Sequence, residues 1–215
     1  MRARWALLKA NKSVIWREVD LKNKPPELIQ LSASATVPLL ITAEGQILRE
    51  SYDIMIWSLN FTKPHQILLN KGTHSYKKAM EFIYINDCFF KFHLDRYKYS
   101  KNNSEITSNT HREIAKDILI RWNNNLSSKS NGDKEWLVEG EESIADWAIW
   151  PFVRQFRLVD PDSFDADRRL NKLGEWLRNF SNNDLFPILM QKAKPWNPEE
   201  PEIFFPINDN TINYE

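Results

Sequence analysis

Cysteine is nearly absent: Cys88 is the only one in 215 residues, so the chain can close no disulfide on itself and build no cysteine zinc cluster. That usage reads as a reducing compartment, the cytosol. Glycine is scarce, and none of the five falls in a phosphate-cradling loop, which argues against a nucleotide enzyme. Net charge is missing as well. Lys plus Arg and Asp plus Glu each number 29, which removes the long-range basic field that nucleic-acid or anionic-membrane binding draws on. No apolar run approaches the roughly 18 residues that span a bilayer, and the opening Met-Arg-Ala-Arg-Trp-Ala-Leu-Leu-Lys-Ala lacks the pattern of a targeting segment. His65, His74, His93 and His111 show no metal-ligand spacing, so no metal is expected. Small molecules and protein surfaces are left as partners, with no nucleic acid and no membrane.

What the chain has in quantity is core material. Apolar residues make up 42% and aromatics 13%, with nine Trp and twelve Phe, which marks a folded protein of one large domain or two small ones. Residues 2–10 combine helix formers with one apolar stripe and predict a helix. Residues 13–19 predict a strand, and Pro25-Pro26 opens a short helix to Leu31. Val37 to Thr42 and Gln46 to Leu48 read as a hairpin about Glu44-Gly45. Ser51 then stands as N-cap of a helix through Leu59.

After residue 61 the periodicity lapses around Pro64 and Gly72, which sets domains at 1–61 and 75–215 with a linker at 62–74. Everything beyond reads as helical. Phe82, Ile85, Phe89 and Phe92 predict one amphipathic helix from Ser75 to about Tyr97, and a second runs from about Glu105 to Leu126. Ser143-Ile-Ala-Asp146 opens the next as a capping-box variant, with a kink expected at Pro151. Helices over 166–180 and 184–192 follow, and the Pro-rich tail from Pro195 reads as packing in extended form.

The order helix, strand, helix, strand, turn, strand, helix is that of a thioredoxin-like unit without its first strand. Met-Arg-Ala-Arg, Leu21-Lys22-Asn23-Lys24-Pro25, Thr36-Val37-Pro38, Glu50-Ser51 and Ser143-Ile-Ala-Asp146 occur in the order and spacing of cytosolic glutathione transferases. By these motifs the whole chain resembles that superfamily, and the Leu-Lys-Asn-Lys-Pro stretch is most like its omega and related cysteine-type classes. The fold implied is α/β and thioredoxin-like in the first half, all-α in the second.

The resemblance also implies a site. Pro38 would follow a cis bond, turning the Val37 backbone to pair with the cysteinyl part of glutathione like an added strand. Ser51, by its residue type an N-cap, would help bind the γ-glutamyl carboxylate at a helix start, and Glu50 would face the ammonium. Lys24 becomes a partner for the glycyl carboxylate. Phe89, Phe92, His93, Arg96 and Tyr97 would line a second-substrate pocket, although their spacing alone makes the phenylalanines a core stripe. Arg2 and Arg4 read as surface or interface charges, and Cys88 as a buried inert thiol.

In the cysteine and serine classes the reactive residue lies in a Cys-Pro or Ser-Pro turn shortly before the Arg-Ala-Arg match, so the resemblance puts any catalytic residue upstream of Met1 and makes this chain an N-terminally truncated one. Two functions follow from the resemblance. One is a glutathione transferase or thiol oxidoreductase acting on a small electrophile or disulfide, dehydroascorbate included, with glutathione as cosubstrate and a homodimeric assembly. The other is a non-catalytic binding or interaction protein that keeps the fold.

Overall fold

The structure is a computed structural model that describes residues 1–61, 67, 69–99, 105–128, 130 and 132–207. The chain forms two compact units, one of Met1–Lys63 with Asp184–Glu215 and one of Pro64–Asn183. Residues 62–66 and 68 of the expected linker 62–74 lie outside the described residues.

The first unit begins with α1, Arg2–Lys9, whose Ala3, Trp5, Ala6, Leu7 and Leu8 are all buried. β1, Val14–Trp16, and α2, Pro26–Leu31, follow, the latter with proline in its first turn, where a missing N–H costs nothing. β2, Leu40–Ile41, and β3, Ile47–Leu48, pair antiparallel, Leu40 opposite Leu48 and Ile41 opposite Ile47. Their turn needs a left-handed residue, which Gly45 supplies at φ 82. α3 is Ser51–Leu59, and its Ile54 joins Ala3 and Leu48 in a small core that Leu40 and Trp57 flank. α1 is thereby seated against β3 and α3.

The end of the chain belongs to this unit rather than to the helical one, so the division expected at 75–215 does not coincide with the observed units. The tail from Pro195 packs on this unit as extended chain, part of it as a strand. The Trp196 N–H donates to the Glu18 carbonyl at 2.8 Å, and β4, Ile203–Phe205, pairs antiparallel with β1. α10, Leu185–Leu189, also packs on α1. The Arg4 guanidinium lies between the rings of Trp16 and Phe205, 4.3 and 4.2 Å from their centroids, and donates to the Gln191 carbonyl at 2.9 Å. Arg4 is therefore a half-buried cation clamped between two strands.

The second unit is helical. It contains α4 (His74–Ile85), a π-helical turn (Asn86–Phe90), α5 (Lys91–Lys98) and α6 (Glu105–Asn125). These are followed by α7 (Ile144–Val159), α8 (Pro161–Ala166), a 3₁₀ turn (Arg168–Leu170) and α9 (Asn171–Ser181). The continuous helix expected over 166–180 is broken because Asp167 caps a new start, accepting from the Arg169 N–H at 3.1 Å while pairing with Lys116 at 3.0 Å. α7 carries Pro151 within one unbroken span and buries every residue from Ile144 to Pro151. Trp150 stacks on Phe180 of α9 with ring centroids 5.0 Å apart.

The π turn corrects the apolar stripe. Two regular turns from Phe82 reach Phe89, but one turn widened to i→i+5 bonding reaches Phe90 instead, and a further turn reaches Leu94. Accordingly Phe90 and Leu94 are 0% exposed while Phe89 and Phe92 are 48% and 45% exposed. The same turn leaves Cys88 exposed, against the buried thiol expected from its apolar neighbours.

Candidate functional site

The β2–β3 register organises one end of the first unit. Since Leu40 faces Leu48, the residues just before β2 and just after β3 leave the hairpin at the same end: Val37 and Pro38 on one side, Glu50 and Ser51 on the other. The Val37–Pro38 bond is cis, and Val37 is 45% exposed. Arg49 fixes the corner between β3 and α3 by donating from Nε and Nη2 to the Leu31 carbonyl at 3.3 and 3.0 Å. Lys24 is half-buried and stands before α2, at the opposite end of that helix from this tether.

Ser51 differs from its expected role. Glu50 occupies the N-cap position with extended backbone and no side-chain cap, the first intrahelical bond runs from the Ile54 N–H to the Glu50 carbonyl at 3.1 Å, and Ser51 is the first helical residue. Its hydroxyl, released from capping, accepts from Arg2 Nε at 2.9 Å. Arg2 is only 9% exposed and Ser51 is half-buried, so this is a part-buried contact between α1 and α3. An arginine in the first turn of an amphipathic helix reads as a surface charge in a sequence, and nothing in its spacing marks it as the partner of a residue 49 positions away. The leading N–H groups of α3 fall outside the intrahelical ladder, as helix geometry requires, and carry the positive end of the helix dipole. Backbone donors, a hydroxyl, a buried guanidinium and the exposed Glu50 carboxylate meet here, an arrangement suited to a ligand that carries both an anion and a cation.

In the helical unit the five residues singled out beside these lie on the π turn and α5. Phe89 leans edge-on against Tyr84, with centroids 5.9 Å apart, and Phe92 lies under the Arg96 guanidinium at 3.3 Å. His93 Nδ1 faces His111 Nδ1 at 2.8 Å, and partial burial, with the charges of His111 and Arg96, lowers the His93 pKa below its ordinary value. Tyr97 packs on Phe156 at 5.4 Å beside a shallow recess formed with Arg112, Asp160 and Ser163. Burial raises the Tyr97 pKa above that of an ordinary phenol. Among the described residues no group of three or more His, Cys, Asp or Glu is arranged to hold a metal ion.

Comparison with known proteins gives two family matches. Residues 1–58 match the model of the glutathione S-transferase N-terminal domain, and residues 93–179 that of the C-terminal domain. No curated protein matches the chain. Solved structures do. A glutathione transferase from Phanerochaete chrysosporium, crystallised with oxidised glutathione, is 17% identical, with 87% of this chain and 86% of that chain covered and a TM-score of 0.72. One from Pseudomonas putida with one glutathione disulfide bound per subunit is 19% identical, covering 89% and 86% at a TM-score of 0.72. A homologue from Lodderomyces elongisporus with two glutathione molecules per subunit is 17% identical, covering 86% and 90% at 0.70. At such identities the likeness is one of fold: a thioredoxin-like part with few strands and a helical part.

Proposed function

The chain belongs to the glutathione S-transferase superfamily, and from that premise we propose that it binds glutathione at the open end of the β2–β3 hairpin. The Val37 backbone pairs with the cysteinyl part as an added strand does. The start of α3 and the Ser51 hydroxyl take the γ-glutamyl carboxylate, Glu50 takes its ammonium, and Lys24 takes the glycyl carboxylate. The single observation that carries this reading is the hairpin register, which supports two chemically complementary segments meeting at one end. Phe89, Phe92, His93, Arg96 and Tyr97 form the surface offered to the second substrate.

The bound thiol serves thiol transfer, reduction or conjugation. In the first two, the thiolate attacks one sulfur of a disulfide, a new S–S bond forms, the old one breaks, and the departing thiolate takes a proton from solvent. In conjugation it forms a C–S bond to an electrophilic carbon, the bond from that carbon to its leaving group breaks, and the group departs with the electron pair, as halide does from an aryl halide. A free thiol titrates at about 8.5, so a site that favours the thiolate multiplies the reactive fraction at neutral pH. A cytosolic location and a homodimer complete the proposal, and light scattering on the purified protein reads the second directly.

Isothermal calorimetry with glutathione tests the binding site. The wild type binds, and Glu50→Ala weakens binding about tenfold by removing one charge-assisted hydrogen bond. Equal affinity in the two proteins would remove Glu50 from the site. Turnover of an aryl halide or a mixed disulfide by the same preparation makes the protein a transferase or reductase, whereas binding without turnover makes it a glutathione-binding module.

A further inference from the structure

We infer that Arg2 is a positioning residue for the γ-glutamyl carboxylate of glutathione, acting through the Ser51 hydroxyl; the inference rests on the binding site proposed above. A serine hydroxyl has one proton to give and two lone pairs to offer. Arg2 Nε–H, 2.9 Å from Ser51 Oγ, occupies one lone pair and fixes the direction of the hydroxyl. With that lone pair held on the α1 side, the proton is free to point away from Arg2, as a donor beside the first-turn amides of α3.

Charge points the same way. A guanidinium stays protonated at any physiological pH, and a cation beside a helix N-terminus adds to the positive end of the dipole instead of offsetting it. Glu50 at the N-cap and Asp53 in the first turn are the acidic groups that α3 itself brings to this end. Two positive features therefore converge on Ser51, and an anion that reaches the hydroxyl gains from both. Arg2 is 9% exposed and precedes Ala3, which sits in the core with Leu48 and Ile54, so the arginine is held in place by packing before any ligand arrives. Sites that bind without reorganising lose less on binding.

The test uses two probes and three variants. Calorimetry compares glutathione with cysteinylglycine, which lacks the γ-glutamyl group, on the wild type, Arg2→Gln, Ser51→Ala and the double variant, each checked for folding by circular dichroism. Arg2→Gln is expected to weaken glutathione about tenfold and leave cysteinylglycine unchanged, and the double variant to bind no worse than Ser51→Ala alone. If the wild type binds no glutathione, the binding site itself is wrong. If it binds and Arg2→Gln matches it, or loses both probes equally, or adds its loss to that of Ser51→Ala, the positioning role is wrong while the site stands. Should Arg2→Gln fail to fold, the Arg2 Nε–H resonance of the wild type decides: it shifts on adding glutathione and not cysteinylglycine, and an unmoved resonance overturns the inference.

Discussion

Single residues here are read correctly only with their surroundings. Arg2, Arg4 and Asp146 are charged side chains that a sequence places at the surface or at a helix end, yet Arg2 is 9% and Asp146 0% exposed. Asp146 accepts from the Leu137 N–H (3.1 Å), the Ser143 N–H (2.9 Å), the Ser143 hydroxyl (2.8 Å) and Trp176 Nε1 (2.8 Å). Complete burial pushes its pKa from the ordinary 3.8 up to about 6, against the pull of those donors. A carboxyl with a folded pKa above its unfolded one binds its proton more tightly when folded. Its contribution to stability is therefore largest at low pH and declines as pH rises from 3.8 to about 6. The decline is on the order of 3 kcal/mol, taking about 1.4 kcal/mol per unit. Urea unfolding of the wild type and Asp146→Asn across that window reads it: the wild-type advantage shrinks as pH rises. An advantage that grows with pH would mean the four donors outweigh burial.

At the scale of elements, what local chemistry dictates was legible. Helix formers over 2–10, the Glu44-Gly45 turn between apolar runs, and Ser143 with Asp146 three residues on each produce the element their spacing predicts. The π turn was not legible, because a stripe of Phe82, Ile85, Phe89 and Phe92 fits a regular helix as well as any other phase does. What decides it is packing: Phe90 meets Trp122 with centroids 5.1 Å apart and Phe156 at 6.0 Å, an aromatic cluster that no local spacing encodes. The break at Asp167 has the same origin, since its Lys116 partner lies on another helix. The phase shift has a direct consequence. Phe90→Ala costs about 3 to 5 kcal/mol and Phe89→Ala within about 1 kcal/mol, because only the first leaves a cavity. Equal losses by chemical denaturation would restore the regular stripe.

At the scale of the molecule, the first unit is closed by segments from both ends of the chain. β4 reads as tail in the sequence, since Ile203–Phe205 lies among prolines and has no partner nearby; it becomes a strand because β1 offers it an edge. The expected division at 75–215 and the compact units part company at this point. Phe205, 1% exposed, packs edge-on to Trp16 at 5.6 Å and forms one side of the Arg4 clamp. Phe205→Ala is accordingly expected to cost about 3 to 5 kcal/mol and to speed amide exchange in β1, some 190 residues away in sequence. Unchanged exchange at Val14–Trp16 would show that the first unit closes without its C-terminal strand.

The candidate site was legible only through the family resemblance, since Pro38 after Val37 and Glu50 before Ser51 are by residue type an ordinary proline and a helix start. The buried arginine behind Ser51 was not, because a contact between α1 and α3 leaves no local trace. Titration of the ¹⁵N-labelled protein with glutathione, followed by amide chemical shifts, tests the central claim most directly. The account predicts the largest shifts at Val37, Ser51 and the first turn of α3. Shifts confined to the helical unit, or scattered without a focus at that end of the hairpin, would contradict it.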